Sequence, residues 1–234
     1  MDWQFMYRTF LMALKGIPVT LEITVLALLF ALPISTLIAI IRNKKIKVLS
    51  KVCGIYVSFI RGTPILVQIY LLYNLLPSVF QIFFNRIGAQ INIFKINPLI
   101  YAVIIFALNV SALLSEIIRS AFLTVDKGQM EAAQTLGMTE WQAYYRIIFP
   151  QALVSAMPNM CTLVILIIKM TSLAFTMTIQ DVTAIAKIQA GLGYTYFEAY
   201  LDIFVIYLVI CICVETIFGK IEKHLKRYKN PIVA

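Results

Sequence analysis

Glu116 and Arg119 stand three residues apart in SEIIRSAF, the spacing that puts two side chains on one helix face and lets a carboxylate pair with a guanidinium. Lys169 is followed by Thr171 and Ser172, a cation and two hydroxyls of the kind that can hold a zwitterion. Asn109, Ser111 and Ser115 add amide and hydroxyl groups on the segment that carries Glu116. All of them lie in apolar sequence, where an ionisable group at bilayer depth costs about 2.5–3.5 kcal/mol unless it faces protein or water. A second constellation is polar: Glu131, Ala132, Ala133, Gly137 and Pro150 punctuate EAAQTLGMTEWQAYYRIIFPQAL, Glu131 to Leu153. Chemistry of the catalytic kind has no such footing. The single histidine, His224, lies in a basic tail, and neither HExxH nor GxSxG occurs. Cys53, Cys161, Cys211 and Cys213 lack zinc-site or disulfide-framework spacing, so no metal and no catalytic residue are expected.

The elements that must position these groups are set by composition. Apolar residues make up 61% of the chain and charged residues 13%, with a mean hydropathy of +0.88, well outside the range of water-soluble domains. An all-α integral membrane protein is expected, a single transmembrane domain over 1–234. At about 20 residues per crossing, the apolar runs give five spans, near 17–41, 52–84, 98–121, 153–177 and 199–219. The second run is too long for one straight crossing. It holds Pro77 and an Arg61-Gly62-Thr63-Pro64 turn, so either its inner end lies along the interface or the helix breaks there. The run from 17 to 41 exceeds the apolar core of a signal peptide and is read as a retained helix.

Lys and Arg are held on the inner side of short connections. Segments 42–51, 122–151 and the tail from 220 carry twelve of them, against five in Arg8, Lys15, Arg86, Lys95 and Lys187 on the other side. Five helices with the N-terminus out and the C-terminus in satisfy that bias. The net charge of +9 then belongs to lipid headgroups beside span ends and not to nucleic acid.

Within 126–150, Asp126 with Gln129 and Thr139 with Gln142 both have the form of a capping box. A helix from Gln129 to Leu136 should end at Gly137, which takes the left-handed conformation at no steric cost, and a second should run until Pro150 stops it. Such a hairpin suits either docking of another protein or packing on the chain's own spans. The intramembrane groups have similar alternatives. Glu116–Arg119 is a structural bridge or a substrate contact; Arg61 snorkels to the interface or orders its turn; Lys169 snorkels outward or meets a carboxylate in a pore. Asn109, Ser111 and Ser115 line the same path or pack helices.

The string Glu131-Ala132-Ala133 with Gly137 four residues on, and an apolar pair before Pro150, resembles the cytoplasmic signature of the membrane-spanning subunits of bacterial ABC importers. FIRGTPILVQ (59–68), SEIIRSAF (115–122) and KMTSLAF (169–175) are similar to motifs of the polar amino-acid uptake branch, so the resemblance covers nearly the whole chain. It implies a type I importer transmembrane domain in the bacterial cell membrane, paired with a second copy or a similar permease. It also implies two cytoplasmic ATPase subunits, each receiving a coupling helix, and an extracytoplasmic solute-binding protein that delivers an amino acid. ATP and Mg would be bound by the ATPase, with no cofactor in this chain. Met170 and Leu113 stand where the family often has an acid or amide and a tyrosine, which argues against a strongly cationic solute. SLAFT (172–176) with Asp181 looks most like permeases for cystine and sulfur amino acids. The rival is a self-contained secondary transporter or channel, which would usually show half-repeats. None is found.

Overall fold

A computed structural model describes residues 2–88 and 93–229. Ten α-helices account for most of them: α1 (Trp3–Leu14), α2 (Ile17–Asn43), α3 (Lys47–Gly62), α4 (Ile65–Arg86), α5 (Pro98–Leu123), α6 (Lys127–Thr135), α7 (Glu140–Ala143), α8 (Phe149–Thr171), α9 (Val182–Gly193) and α10 (Tyr196–Lys229). Among the described residues, five stretches are long and apolar enough to cross a bilayer, built on α2, α4, α5, α8 and α10. No strand occurs among the described residues.

α5 forms the centre. Its residues Ala102, Ile105, Phe106, Val110 and Leu114 are buried in clusters shared with Ile23, Ala27 and Ala31 of α2, where alanines on both helices leave room for the one large ring. Small side chains let helix axes approach closely, which matters in lipid, where no hydrophobic force drives helices together. α2 and α5 run parallel, since Ile23 meets Ala102 near one end and Arg42 meets Glu116 near the other. α8 runs against both: Ala152 and Ala156 pack on Ala121, while Leu163 and Ile167 reach Val110 and Ala31.

The long second run breaks at Thr63–Pro64, both extended (ψ 141° and 133°). At 16 residues, or about 24 Å, α3 is too short to span the ~30 Å hydrocarbon core. The break frees helical carbonyls, because Pro64 has no N–H to offer Ile60. Gln68 supplies the donor instead, giving its amide to the carbonyls of Ile60 (2.8 Å) and Thr63 (3.0 Å), and Asn109 of α5 donates to the Gln68 carbonyl oxygen (2.9 Å). The Thr63 hydroxyl covers Phe59 in the same way (2.9 Å).

Two short helices stand where the sequence suggested only connections. α1 and α9 pack on each other and on the start of α10 through Ala13, Val182, Ala186, Ala190 and Ala199. Gly16, between α1 and α2, lies so close to α9 that a Cβ there would fall 2.4 Å from the Val182 amide nitrogen. Asp181 caps α9, accepting from the Ala184 amide (2.8 Å) and the Tyr207 hydroxyl (3.1 Å). Burial raises the Asp181 carboxyl above its usual range, and those donors oppose the shift.

Candidate functional site

The polar stretch after α5 folds into a helical elbow. Asp126 accepts from the Gly128 amide (2.7 Å) and starts α6, but the reciprocal bond expected from Gln129 is not made. Thr139 and Gln142 do form the full capping box and start α7. Between them Gly137 takes φ +81°, with its N–H on Gln134 (2.9 Å) and the Met138 N–H on Ala133 (3.1 Å), the paired bonds of a Schellman ending.

Pro150 does not stop the second helix. Residues Tyr144–Ile148 form a wide π turn in which the Phe149 N–H reaches back to Tyr144, and α8 continues directly with Pro150 in its first turn. A proline clashes with the carbonyl four residues before it in a regular α-helix. The wider turn opens that position and lets one helical rod run from the elbow into the apolar span.

The elbow's two sides differ. Ala133, Ala143 and Ile148 are buried, and Tyr144 meets Phe122 edge-on with ring centroids 6.5 Å apart. Glu131 and Ala132 are exposed, and Leu136 (80%) and Trp141 (78%) stand almost fully clear of the chain. The alanine pair thus splits, one side chain serving the chain's own packing and the other the outer face.

At the same end of the bundle Glu116 holds two guanidiniums. One oxygen takes the Arg42 Nη1, and the other accepts from Arg119 Nε (3.1 Å) and Nη2 (3.0 Å). The i+3 partner was legible in the sequence. Arg42 was not: it reads as one of a basic run, and its pairing with a residue 74 positions away leaves no local signal. Arg61 lies exposed beside this group, with Gly62, Thr63 and Pro64 forming the break.

The structure does not bring the remaining polar residues together. Asn109, Ser111 and Ser115 are buried; Asn109 holds Gln68, Ser111 meets the Tyr56 hydroxyl (2.8 Å), and Ser115 bonds its own helix at Ala112 (2.8 Å). Lys169 is exposed on α8, whereas Thr171 is fully buried and donates to Ile168 (2.7 Å), and Ser172 donates to Lys169's carbonyl (2.7 Å). Lys169 and Thr171 therefore face different sides of their helix.

A helical bundle with a capped elbow inserted between its third and fourth spans is the architecture of a binding-protein-dependent permease. Residues 31–227 match the family described as binding-protein-dependent transport system inner membrane component, and the chain belongs to it, as a multi-pass cell-membrane protein. It is 36% identical over 226 residues to the probable amino-acid permease protein YxeN of Bacillus subtilis (strain 168), covering 97% of this chain and 96% of that one. It is also 36% identical over 217 residues to the L-cystine transport system permease protein TcyL of the same organism, covering 93% and 88%. The crystal structure of an amino acid ABC transporter with histidines superposes with a TM-score of 0.79 at 31% identity, over 96% of this chain and 99% of that one. These relatives place the chain among the amino-acid ABC transporter permeases.

Proposed function

We propose that this chain is the permease subunit of an ATP-driven importer for L-cystine or another polar or sulfur-containing amino acid. It pairs with a second copy or a similar permease, and the spans of the two subunits enclose the translocation path. The N-terminus lies outside, and the elbow and the basic tail lie inside. Two cytoplasmic ATPase subunits bind and hydrolyse ATP with Mg, each gripping one elbow, while an extracytoplasmic binding protein delivers the solute.

The observation that carries this proposal is the elbow itself. Leu136, at the end of α6, and Trp141, in α7, are large apolar side chains that stand 80% and 78% exposed on either side of the fixed Gly137 turn. Isolated anchors of this kind are what an interface core uses. Because α8 continues from the elbow as one helical rod, a push on α6 and α7 is passed into the bundle without a flexible linker to absorb it. Ala132, Glu131 and Gly137 shape the docking face, and Pro150 marks where the π turn hands over to the span. The bond from Arg119 to Glu116 is a structural ion pair that, with Arg42, fixes the position of the Glu116 carboxylate. Of the path candidates read from sequence, Lys169 and the neighbouring Ser172 are the ones left to meet a solute, Lys169 with its charge exposed, whereas Asn109, Ser111, Ser115 and Thr171 serve helix packing and hydrogen bonds within the chain.

Cystine as cargo rests on the similarity to TcyL and on the SLAFT run with Asp181. Reconstitution tests it. Proteoliposomes holding the permease, its ATPase and its binding protein are expected to accumulate labelled L-cystine only with ATP inside and binding protein outside. Uptake at an equal rate without the ATPase would identify a self-contained transporter instead.

A further inference from the structure

Arg42, Val57, Ser58, Arg61, Gly62, Glu116 and Arg119 line a cleft of about 560 Å³ between the ends of α2, α3 and α5. Three guanidiniums and one carboxylate leave it with two net positive charges. Glu116 engages Arg42 and Arg119, but Arg61 makes no hydrogen bond or ion pair with any described residue. A carboxylate carries roughly four acceptor positions, and Glu116 uses three of them on its two arginines. The cleft thus offers one free planar fork for an oxyanion and one free acceptor for a cation. The Ser58 hydroxyl lies on the same wall, and nothing stands within 4 Å of where a Gly62 Cβ would be, which keeps the mouth open.

We propose that this cleft is an exit subsite, in which the transported amino acid rests its α-carboxylate on Arg61 and its α-ammonium on Glu116 before release. The assignment rests on the importer reading given above. It adds a place where the solute is held by the two groups every amino acid shares, whatever its side chain. Arg61 suits this role because its fork matches a carboxylate with two parallel bonds. An anionic lipid phosphate is the other source of oxyanion at this depth. The amino acid is favoured because the cleft presents both signs of charge side by side, which a zwitterion satisfies and a phosphodiester alone does not. α5 leads from this cleft straight into the elbow, so the subsite sits at the end of the bundle where docking would act.

The test uses the permease with its ATPase subunits in phosphatidylcholine nanodiscs, free of nucleotide and binding protein, with L-alanine and L-alaninamide as probes. L-alanine carries only the shared groups, so the result does not depend on whether cystine is the cargo. Saturable L-alanine binding is expected, at least ten-fold weaker for the amide and at least ten-fold weaker in Arg61→Gln. Arg61→Lys should recover most of that loss, and thermal unfolding of both variants should match the parent. Equal binding of acid and amide, or parental affinity in Arg61→Gln, would overturn the subsite. So would an Arg61→Gln defect that appears only in uptake and only when phosphatidylglycerol is present, since that would assign the cleft to lipid. Failure of cystine uptake in proteoliposomes, with L-alanine binding intact, would count against the cargo and leave the subsite standing.

Discussion

Gly137→Val is expected to cut ATP-driven amino-acid uptake at least ten-fold while the protein still inserts and the complex keeps its basal ATPase rate. The cause is local. At φ +81° an L-residue with a branched Cβ is strained by about 1–3 kcal/mol, and relief requires unmaking the Gly137–Gln134 and Met138–Ala133 bonds that fix the turn. α6 would then shift relative to α7, changing how the exposed Leu136 and Trp141 are presented relative to each other. No other heavy atom lies within 4 Å of a Cβ at this position, so the effect comes from backbone conformation and not from crowding. Gly137→Asn provides the control, because asparagine enters the left-handed region more readily than other side chains. Most of the uptake should survive in it. Parallel uptake and ATPase assays on the two variants distinguish coupling from folding: unchanged uptake in the valine variant would show that the shape of the elbow does not matter.

Glu116→Gln is expected to have the second large effect, read as stability. Glu116 neutralises Arg42 from α2 and Arg119 from α5, and its removal leaves two guanidiniums facing each other at the end of the most extensive helix pair in the bundle. Breaking a fully buried pair costs about 3–5 kcal/mol. These side chains keep 20–33% of their exposure, so solvent screening brings the expected loss to about 1–3 kcal/mol. A melting temperature lower by several degrees in detergent should follow, at roughly 2–4 °C per kcal/mol for a chain of this size. Arg42→Met combined with Glu116→Gln should recover part of that loss, since the double variant removes one of the stranded charges. If the single and double variants melt with the parent, the triad contributes nothing to holding α2 on α5.

The particular residues show which parts of this architecture local sequence can carry. The five spans were visible because a bilayer crossing demands about 20 apolar residues in a row, a signal that needs no tertiary knowledge. The break at Arg61-Gly62-Thr63-Pro64 was visible for a similar reason: proline removes a donor wherever it falls. Its repair by Gln68 and Asn109 was not, because that bond spans 41 positions. α1 and α9, at 12 residues each, are too short and too mixed to resemble spans, and their packing depends on Gly16 meeting Val182 from the far end of the chain. Pro150 misled for a physical reason. It is a helix breaker by default, and only the π turn at Tyr144–Ile148 makes it compatible with a continuous helix. In the candidate site, the Gly137 turn and the Thr139–Gln142 box could be read directly, since both are set by neighbours within a few residues. Arg42 could not, and neither could the opposite facing of Lys169 and Thr171, where the 172–177 segment tightens to a 3₁₀ helix just beyond.

Site-specific crosslinking from position 136 tests the central claim most directly. Leu136 replaced by a photoreactive p-benzoylphenylalanine, in cells expressing the full transporter, should give a permease–ATPase adduct as the main product, because this side chain stands 80% exposed at the tip of α6. Crosslinks found only within the permease chain, with the transporter active, would contradict the docking of an ATPase on this elbow.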